Sequence, residues 1–360
     1  MPNILIAGGG SGGHVAPAIA SAESLTAMGA NVLLAHSNRI IDFNMMDSSP
    51  FDSVVLPASP LSMKPIGFVR FCQGFLRASS QVKRIIKDKN IDCILATGGF
   101  VSAPALHAGR KAGCKTVMLN LDDPPGKANK LAVRWADSVL TTVPCELKNA
   151  VAIAPPLRQS VITTSSSIDC KKSFGLNPNR MTLLVTGASQ GASTINQLLP
   201  SLAKLHPSIF HGWEILHIAG NTHADSVKQA WRDADVPCTV LGFIQNMGEA
   251  WGAANLAITR GGANTIAEIS INTVPSIVLP YPYHQDDHQR TNAEPLEKIG
   301  GIRIAKDHTQ LDLNLQDAGL LILELLKDHQ SRFSMRQSMI ESPSINGADE
   351  IALACLSSPH

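Results

Sequence analysis

The stretch NILIAGGGSGGHVAPAIASAESL, Asn3 to Leu25, decides how the rest of the chain is read. Its opening, NILIAG, is a short apolar run of the kind that forms a strand covered on both faces. Gly8, Gly9, Gly10, Gly12 and Gly13 follow, and the pattern predicts a helix from Pro17 to Met28. A strand, a glycine turn and a helix in that order let the backbone approach an anion, with the free N–H groups of the helix start available to it. His14 stands inside that turn. Two uses fit it: a structural ring at a helix start, or a neutral imidazole that takes a proton from a hydroxyl near pH 7.

The same unit recurs downstream. NVLLAH from Asn31, DCILATGG (Asp92–Gly99), KTVMLNL (Lys115–Leu121) and SVLTTV (Ser138–Val143) read as further strands between helical stretches. Such alternation predicts the α/β class and a doubly wound parallel sheet. VAIAPPLRQSVITTSSSID (Val151–Asp169), with adjacent prolines and a Ser/Thr cluster, reads as a connection. The pattern then restarts with MTLLVTGASQGAS from Met181, and EILHIAG, CTVLGF, LAITRGG and SIVLPYP supply further strands. The expected organisation is two Rossmann-like domains, 1–155 and 156–340, facing a central cleft. A helical segment at 341–360 is free to pack back on the first. Ligands of such sheets bind outside the carboxyl ends of the strands.

Composition narrows the function. The chain has 360 residues, more than one core comfortably holds, and its apolar fraction of 44% is ordinary for a globular protein. A net charge of +1 provides no global basic field, so no nucleic-acid partner is expected. No apolar run reaches the roughly 20 residues of a membrane span, and the N-terminus lacks a signal-like pattern, which suggests a cytoplasmic location. The 7 cysteines are scattered without CxxC spacing, pointing to reduced thiols.

Gly8, Gly10 and Gly13 fit the dinucleotide fingerprint, but that reading wants an acid at the end of the second strand. LLAHSNR has none, and the next carboxylate is Asp42. Further glycine turns occur in ATGGFVSAPAL (Ala96–Leu106), TGASQGAS (Thr186–Ser193) and TRGGANTIAEI (Thr259–Ile269). Together they suit two phosphate-bearing ligands, one for each domain. In PYPYHQDDHQRTNAEPLE (Pro280–Glu297), His284, Asp286, Asp287 and His288 could hold a metal or read a sugar. Without cysteine, and with all four side chains within a few residues on one loop, the sugar reading is favoured, and no metal is expected.

With these motifs on one chain, the sequence resembles the MurG family of bacterial peptidoglycan glycosyltransferases. GGGSGGHVAPAIA is similar to the family's first glycine loop, with Ser11 where threonine is usual, and TGGFVSAPAL to its second. GASQGASTINQLLP, GFIQNMGEAWGAANLAITRGGANTIAEI and PYPYHQDDHQRTNAEPLEKIGG resemble its donor-domain motifs. The resemblance implies a GT-B fold and an inverting transfer without a metal cofactor. N-acetylglucosamine would move from UDP-N-acetylglucosamine to the 4-hydroxyl of a muramoyl-pentapeptide on undecaprenyl diphosphate.

Matched position by position, the resemblance makes His14 the general base. It places Gly9, Gly10, Gly98, Gly99 and Phe100 at the acceptor diphosphate. On the donor side it places Ser11, Gly12 and Gly13, Asp122, the hinge arginine Arg158, and Ser189, Gln190 and Gly191 beside Gly187. Ile244 falls where the backbone reads uracil and Glu268 where an acid takes the ribose hydroxyls. His288 and Gln289, with Asn292 nearby, fall in the loop that reads the N-acetylglucosamine. MLNLDDPPGKANK (Met118–Lys130) departs from the family pattern: Asn120 stands where a glutamate is usual and Asp122 where an asparagine is usual.

A lipid-linked acceptor implies work at the cytoplasmic face of an anionic membrane, with other cell-wall synthesis proteins as candidate partners. MKPIGFVRFCQGFLRA (Met63–Ala78) places Phe68, Phe71 and Phe75 at helical spacing among Lys64, Arg70 and Arg77. That pattern fits either a membrane-surface patch or a buried helix face. The rival functions are a related UDP-sugar transferase with another acceptor, a UDP-sugar epimerase of GT-B fold, and a non-catalytic nucleotide-sugar binder.

Overall fold

In the computed structural model, β1 (Asn3–Gly8) lies inside a seven-stranded parallel sheet with β2 (Asn31–His36), β3 (Ser53–Val55), β4 (Cys93–Gly98), β5 (Lys115–Asn120), β6 (Ser138–Thr141) and β7 (Ala150–Ala152). The order is β3-β2-β1-β4-β5-β6-β7. The structure describes all residues except 48, 63, 123, 188–191, 283–286 and 358–360. By its contacts the chain divides into two units, Met1–Arg158 with Ile345–His360, and Gln159–Ser344.

Helices α1 (Gly12–Ala27), α2 (Ile40–Asp47), α3 (Pro65–Lys89) and α4 (Ser102–Ala112) connect the first strands. Ile4, Ile6, Leu95 and Leu119 pack with α1 on one face of the sheet, while Leu5, Ile94, Ala96 and Met118 pack with α3 and α4 on the other. Burial on both faces is why the central strands read as continuous apolar runs. The last helix, Gly347–Leu356, joins this unit through Ile351, Ala352 and Cys355. Asn346 holds it there, its amide exchanging two 2.8 Å hydrogen bonds with the backbone of Leu157.

The second unit repeats the design with β8 (Met181–Thr186), β9 (Trp213–Ile218), β10 (Cys238–Leu241), β11 (Leu256–Thr259), β12 (Ser276–Val278) and β13 (Ile302–Ile304). Its order is β10-β9-β8-β11-β12-β13, again parallel. In each sheet the order reverses at one place, between β1 and β4 and between β8 and β11. Those are the switch points at which doubly wound sheets bind ligands. In the sequence, glycine-rich stretches follow those strands.

Three details differ from the sequence reading. The first helix starts at Gly12, five residues before Pro17, because the N–H groups of His14 and Val15 both reach the Ser11 carbonyl (3.1 and 3.3 Å). His14 therefore belongs to the first helical turn. The short strands β3, β7 and β13 were not foreseen, and β7 occupies the start of the stretch read as a connection. Phe75 is not part of an outward patch: it packs into the core beneath α3, 5.2 Å from the His107 ring and 5.9 Å from Trp135.

Candidate active site

At the first switch point, the turn after β1 and the turn after β4 are closely interlocked. Gly98 and Gly99 have φ of +120° and +80°, a region that excludes side chains at low cost only for glycine. A Cβ at Gly98 would overlap the imidazole of His14, and one at Gly99 would overlap the Gly9 carbonyl. The His14 carbonyl accepts a 2.8 Å hydrogen bond from Thr97 Oγ1. Its Nδ1 is buried and has no hydrogen-bond partner among the described residues.

Sequence reasoning passed over the groups that shape this turn. Asp42, fully buried, accepts hydrogen bonds at one oxygen, Oδ2, from Gly10 N (2.7 Å), Ser37 N (3.1 Å) and Ser37 Oγ (2.5 Å). The acid absent from the dinucleotide position is here, and it holds the glycine turn itself. Arg39 Nη1 donates to the Gly10 carbonyl (2.5 Å) with its guanidinium 5.3 Å from the centre of the Phe100 ring. Phe100 in turn covers Gly10, leaving no room for a Cβ there. The implied acceptor residues Gly9, Gly10, Gly98, Gly99 and Phe100 are therefore brought together with His14. Ser11, Gly12 and Gly13 sit beside them at the start of α1.

Further along this sheet, Asn120 is buried among other amides and hydroxyls. Its Nδ2 donates to the Asp122 carbonyl (2.9 Å) and its Oδ1 accepts from Asn129 (3.0 Å). A neutral amide at this departure from the family pattern is fully used in fixing the loop. Asp122 itself is exposed, with its carboxylate near Gly126. Arg158 is half-buried at the end of the first unit.

In the second unit, Arg260 precedes Gly261 and Gly262 at the end of β11 and is buried with Asp307 in a 2.8 Å ion pair. The Asp307 carboxylate also accepts from Thr194 Oγ1 (2.5 Å), Thr309 N (2.8 Å) and Asn314 Nδ2 (3.0 Å). Burial alone would push this carboxyl up. Those hydrogen bonds, with Arg260, outweigh it and hold the group below the ordinary carboxylate range. Arg260 also donates to Thr194 Oγ1 (2.7 Å) and to the Leu279 carbonyl (2.9 Å), so one cation ties together the ends of three strands.

A second buried chain runs beside it. Trp231 Nε1 donates to His217 Nδ1 and His217 Nε2 donates to Asn196 Oδ1, both at 3.0 Å. Asn196 belongs to the helix Ser193–Leu205. Burial drives the His217 pKa down to about 3, so the ring is neutral at physiological pH.

Of the implied donor residues, Glu268 accepts a 2.9 Å hydrogen bond from buried Trp251 Nε1, which fixes one carboxylate oxygen. Ile244 anchors its loop by packing its side chain on the Trp251 cluster. Gln289 is committed to the protein more than the sugar-reading expectation allowed: its Oε1 accepts from Gly261 N (3.2 Å) and Tyr281 N (2.9 Å). Asn292 donates to the Gly261 carbonyl (3.1 Å), so these two amides clamp the turn. His288 starts the helix His288–Lys298. Ser189, Gln190 and Gly191, with His284 and Asp286, lie outside the described residues. Among the described residues, no group of His, Cys, Asp and Glu side chains is arranged to hold a metal.

The outward apolar side of α3 is made of Ile66, Phe68, Val69 and Leu76, with Phe71 half-buried at its edge. Lys64, Arg70 and Arg77 are exposed around it. Among the described residues no helix is long and apolar enough to cross a membrane.

The sequence matches the glycosyltransferase family 28 N-terminal domain over residues 4–141 and the family's C-terminal domain over 182–351. A Frankia casuarinae protein named as a UDP-N-acetylglucosamine--N-acetylmuramyl-(pentapeptide) pyrophosphoryl-undecaprenol N-acetylglucosamine transferase is 32% identical, covering 85% of this chain and 83% of its own. A Streptomyces coelicolor protein of the same name is 30% identical over 94% of this chain and 93% of its own. Among solved structures, Acinetobacter baumannii MurG superposes with a TM-score of 0.70 at 22% identity, covering 98% of each chain. The UDP-GlcNAc 2-epimerase of Neisseria meningitidis does so with 0.60 at 12% identity, over 98% of this chain and 99% of its own. At such identities the structural likeness is one of fold, common to a transferase and an epimerase, and the sequence relatives separate the two. By that relationship the chain belongs to the MurG family of N-acetylglucosaminyltransferases, within glycosyltransferase family 28.

Proposed function

We propose that His14 is the base of an inverting transfer from UDP-N-acetylglucosamine to the 4-hydroxyl of a diphospholipid-linked muramoyl-pentapeptide. The acceptor oxygen attacks C1 of the N-acetylglucosamine as the C1–O bond to UDP breaks. Nε2 of His14 takes the hydroxyl proton, and UDP leaves with the bonding electron pair. The observation that carries this reading is the placement of His14 against Gly98 and Gly99 at a switch point, in a chain whose relatives are named for this transfer.

Each unit contributes its own half. In the first, the glycine turns around His14 would receive the acceptor diphosphate through backbone N–H groups. In the second, Glu268, held by Trp251, would take the ribose hydroxyls, and the clamped Gly261–Gly262 turn would face the nucleotide sugar. Charge developing on UDP would be met by Arg158 and by helix starts, without a metal cofactor. The exposed apolar side of α3, with its three cations, would rest on the cytoplasmic face of an anionic membrane and deliver the enzyme to its acceptor.

Incubating the protein with labelled UDP-N-acetylglucosamine and muramoyl-pentapeptide diphospholipid, with and without EDTA, tests the reading. Labelled disaccharide lipid in both tubes is the expected result. Transfer abolished by EDTA would overturn the metal-free mechanism, and isomerised UDP-sugar without lipid product would make the protein an epimerase.

A further inference from the structure

Beside the first glycine turn lies an apolar edge that the reaction described above does not use. Helix α2 buries Asp42 and Met46 and turns Ile40, Ile41 and Phe43 outward, at 78%, 49% and 40% exposure. It is not remote from the turn. A Cβ placed on Gly12 would meet Met45 Sδ at 3.3 Å and Ile41 Cδ1 at 3.7 Å. Arg39, the residue before α2, binds the Gly10 carbonyl and lies over Phe100. The turn thus has backbone N–H groups, the Arg39 guanidinium, the Phe100 ring and Ile41 against it, while Ile40 and Phe43, three apart on α2, continue the exposed apolar side, Phe43 with its ring edge-on to His36.

That combination has a chemical reading. Polar N–H groups and a cation suit an anionic head, and apolar side chains joined to them without a break suit a hydrocarbon attached to that head. We propose that Ile40, Ile41 and Phe43, beside Arg39 and Phe100, form a subsite for the first isoprene units of the acceptor's lipid chain. The subsite rests on the functional reading above and extends it, since it makes the enzyme sensitive to acceptor chain length. Its residues differ from those on the outward apolar side of α3. The glycines of α3 abut Ser59 and Ser62, and its Phe75 abuts His107 and Trp135, so α3 does not adjoin the turn through those contacts.

The test uses the full chain and two synthetic acceptors, muramoyl-pentapeptide diphosphates bearing a five-carbon or a twenty-carbon isoprenoid. In the Ile40→Asn and Phe43→Asn double variant, the ratio of kcat/KM for the long over the short acceptor is expected to fall about tenfold. Ile40→Asn alone, at a fully solvated position that folding does not depend on, should produce part of that fall. An unchanged ratio in both variants would overturn the subsite. If the ratio holds while sedimentation with anionic phospholipid vesicles drops, α2 is a membrane contact and the proposal is likewise wrong. Absence of transfer to either acceptor by the wild-type protein would instead bring down the functional reading itself, and the subsite with it.

Discussion

The two units carry out the same structural task with opposite degrees of completeness. Each has a buried carboxylate at its switch point: Asp42 binds the glycine turn itself, and Asp307 binds Arg260, the residue before the Gly261–Gly262 turn. In the second, both oxygens of Asp307 are engaged, by Arg260, Thr194, Thr309 and Asn314. In the first, all three donors to Asp42 converge on Oδ2, and Oδ1 is buried with no partner among the described residues. A saturated network is rigid, whereas one with an unused acceptor resists rearrangement less. On the proposed reading, the side with the saturated network would receive the nucleotide sugar, and the side with the unused acceptor the lipid-linked substrate.

Breaking the saturated network has the larger consequence. Asp307→Ala leaves the Arg260 guanidinium buried without its counter-ion and is expected to cost about 3–5 kcal/mol, read as a fall in the unfolding midpoint of the second unit. A loss no greater than that of a surface substitution would show that Arg260 is compensated otherwise. Asp42→Ala is expected to cost less, about 1–3 kcal/mol, by stranding Gly10 N–H and Ser37. Its kinetic mark is a raised KM for the acceptor at unaltered KM for UDP-N-acetylglucosamine, with Asp42→Asn closer to wild type. A donor-side effect would contradict the assignment of this turn to the acceptor.

Acid sharpens the contrast further. His217 titrates at about 3 in the folded second unit and at its ordinary value of 6.5 when unfolded. The unfolded chain therefore binds the extra proton first, and stability falls as pH drops from 6.5 towards 3, by about 1.4 kcal/mol per pH unit. Asp307, held low, adds a loss of the same sign as pH passes down through the carboxylate range. Trp213, Trp231 and Trp251 all lie in this unit, so their emission follows it. The pH dependence should flatten in His217→Gln, and an unchanged slope would mean that other groups govern acid sensitivity.

The sheets and their switch points were legible because parallel strands covered on both faces leave unbroken apolar runs, as in NILIAG and MTLLVT. Strands of three residues, such as β3, β7 and β13, are too short to leave one. His14 could be picked out because a titratable ring inside a glycine turn is conspicuous. Asp42 and Asp307 could not, since the former reaches Gly10 across 32 positions and the latter Thr194 across 113. Contacts of that range have no periodicity. Phe75 was misplaced for a related reason: helical spacing puts Phe68, Phe71 and Phe75 on one stripe but does not say which of its edges meets the protein.

The central claim is that His14 takes the acceptor proton, and single-turnover transfer by His14→Ala tests it most directly, alongside calorimetric binding of UDP-N-acetylglucosamine. The account predicts a rate lower by roughly 10²-fold or more with donor affinity nearly unchanged. A rate near that of the wild type, with the variant folded and the donor bound, would contradict it.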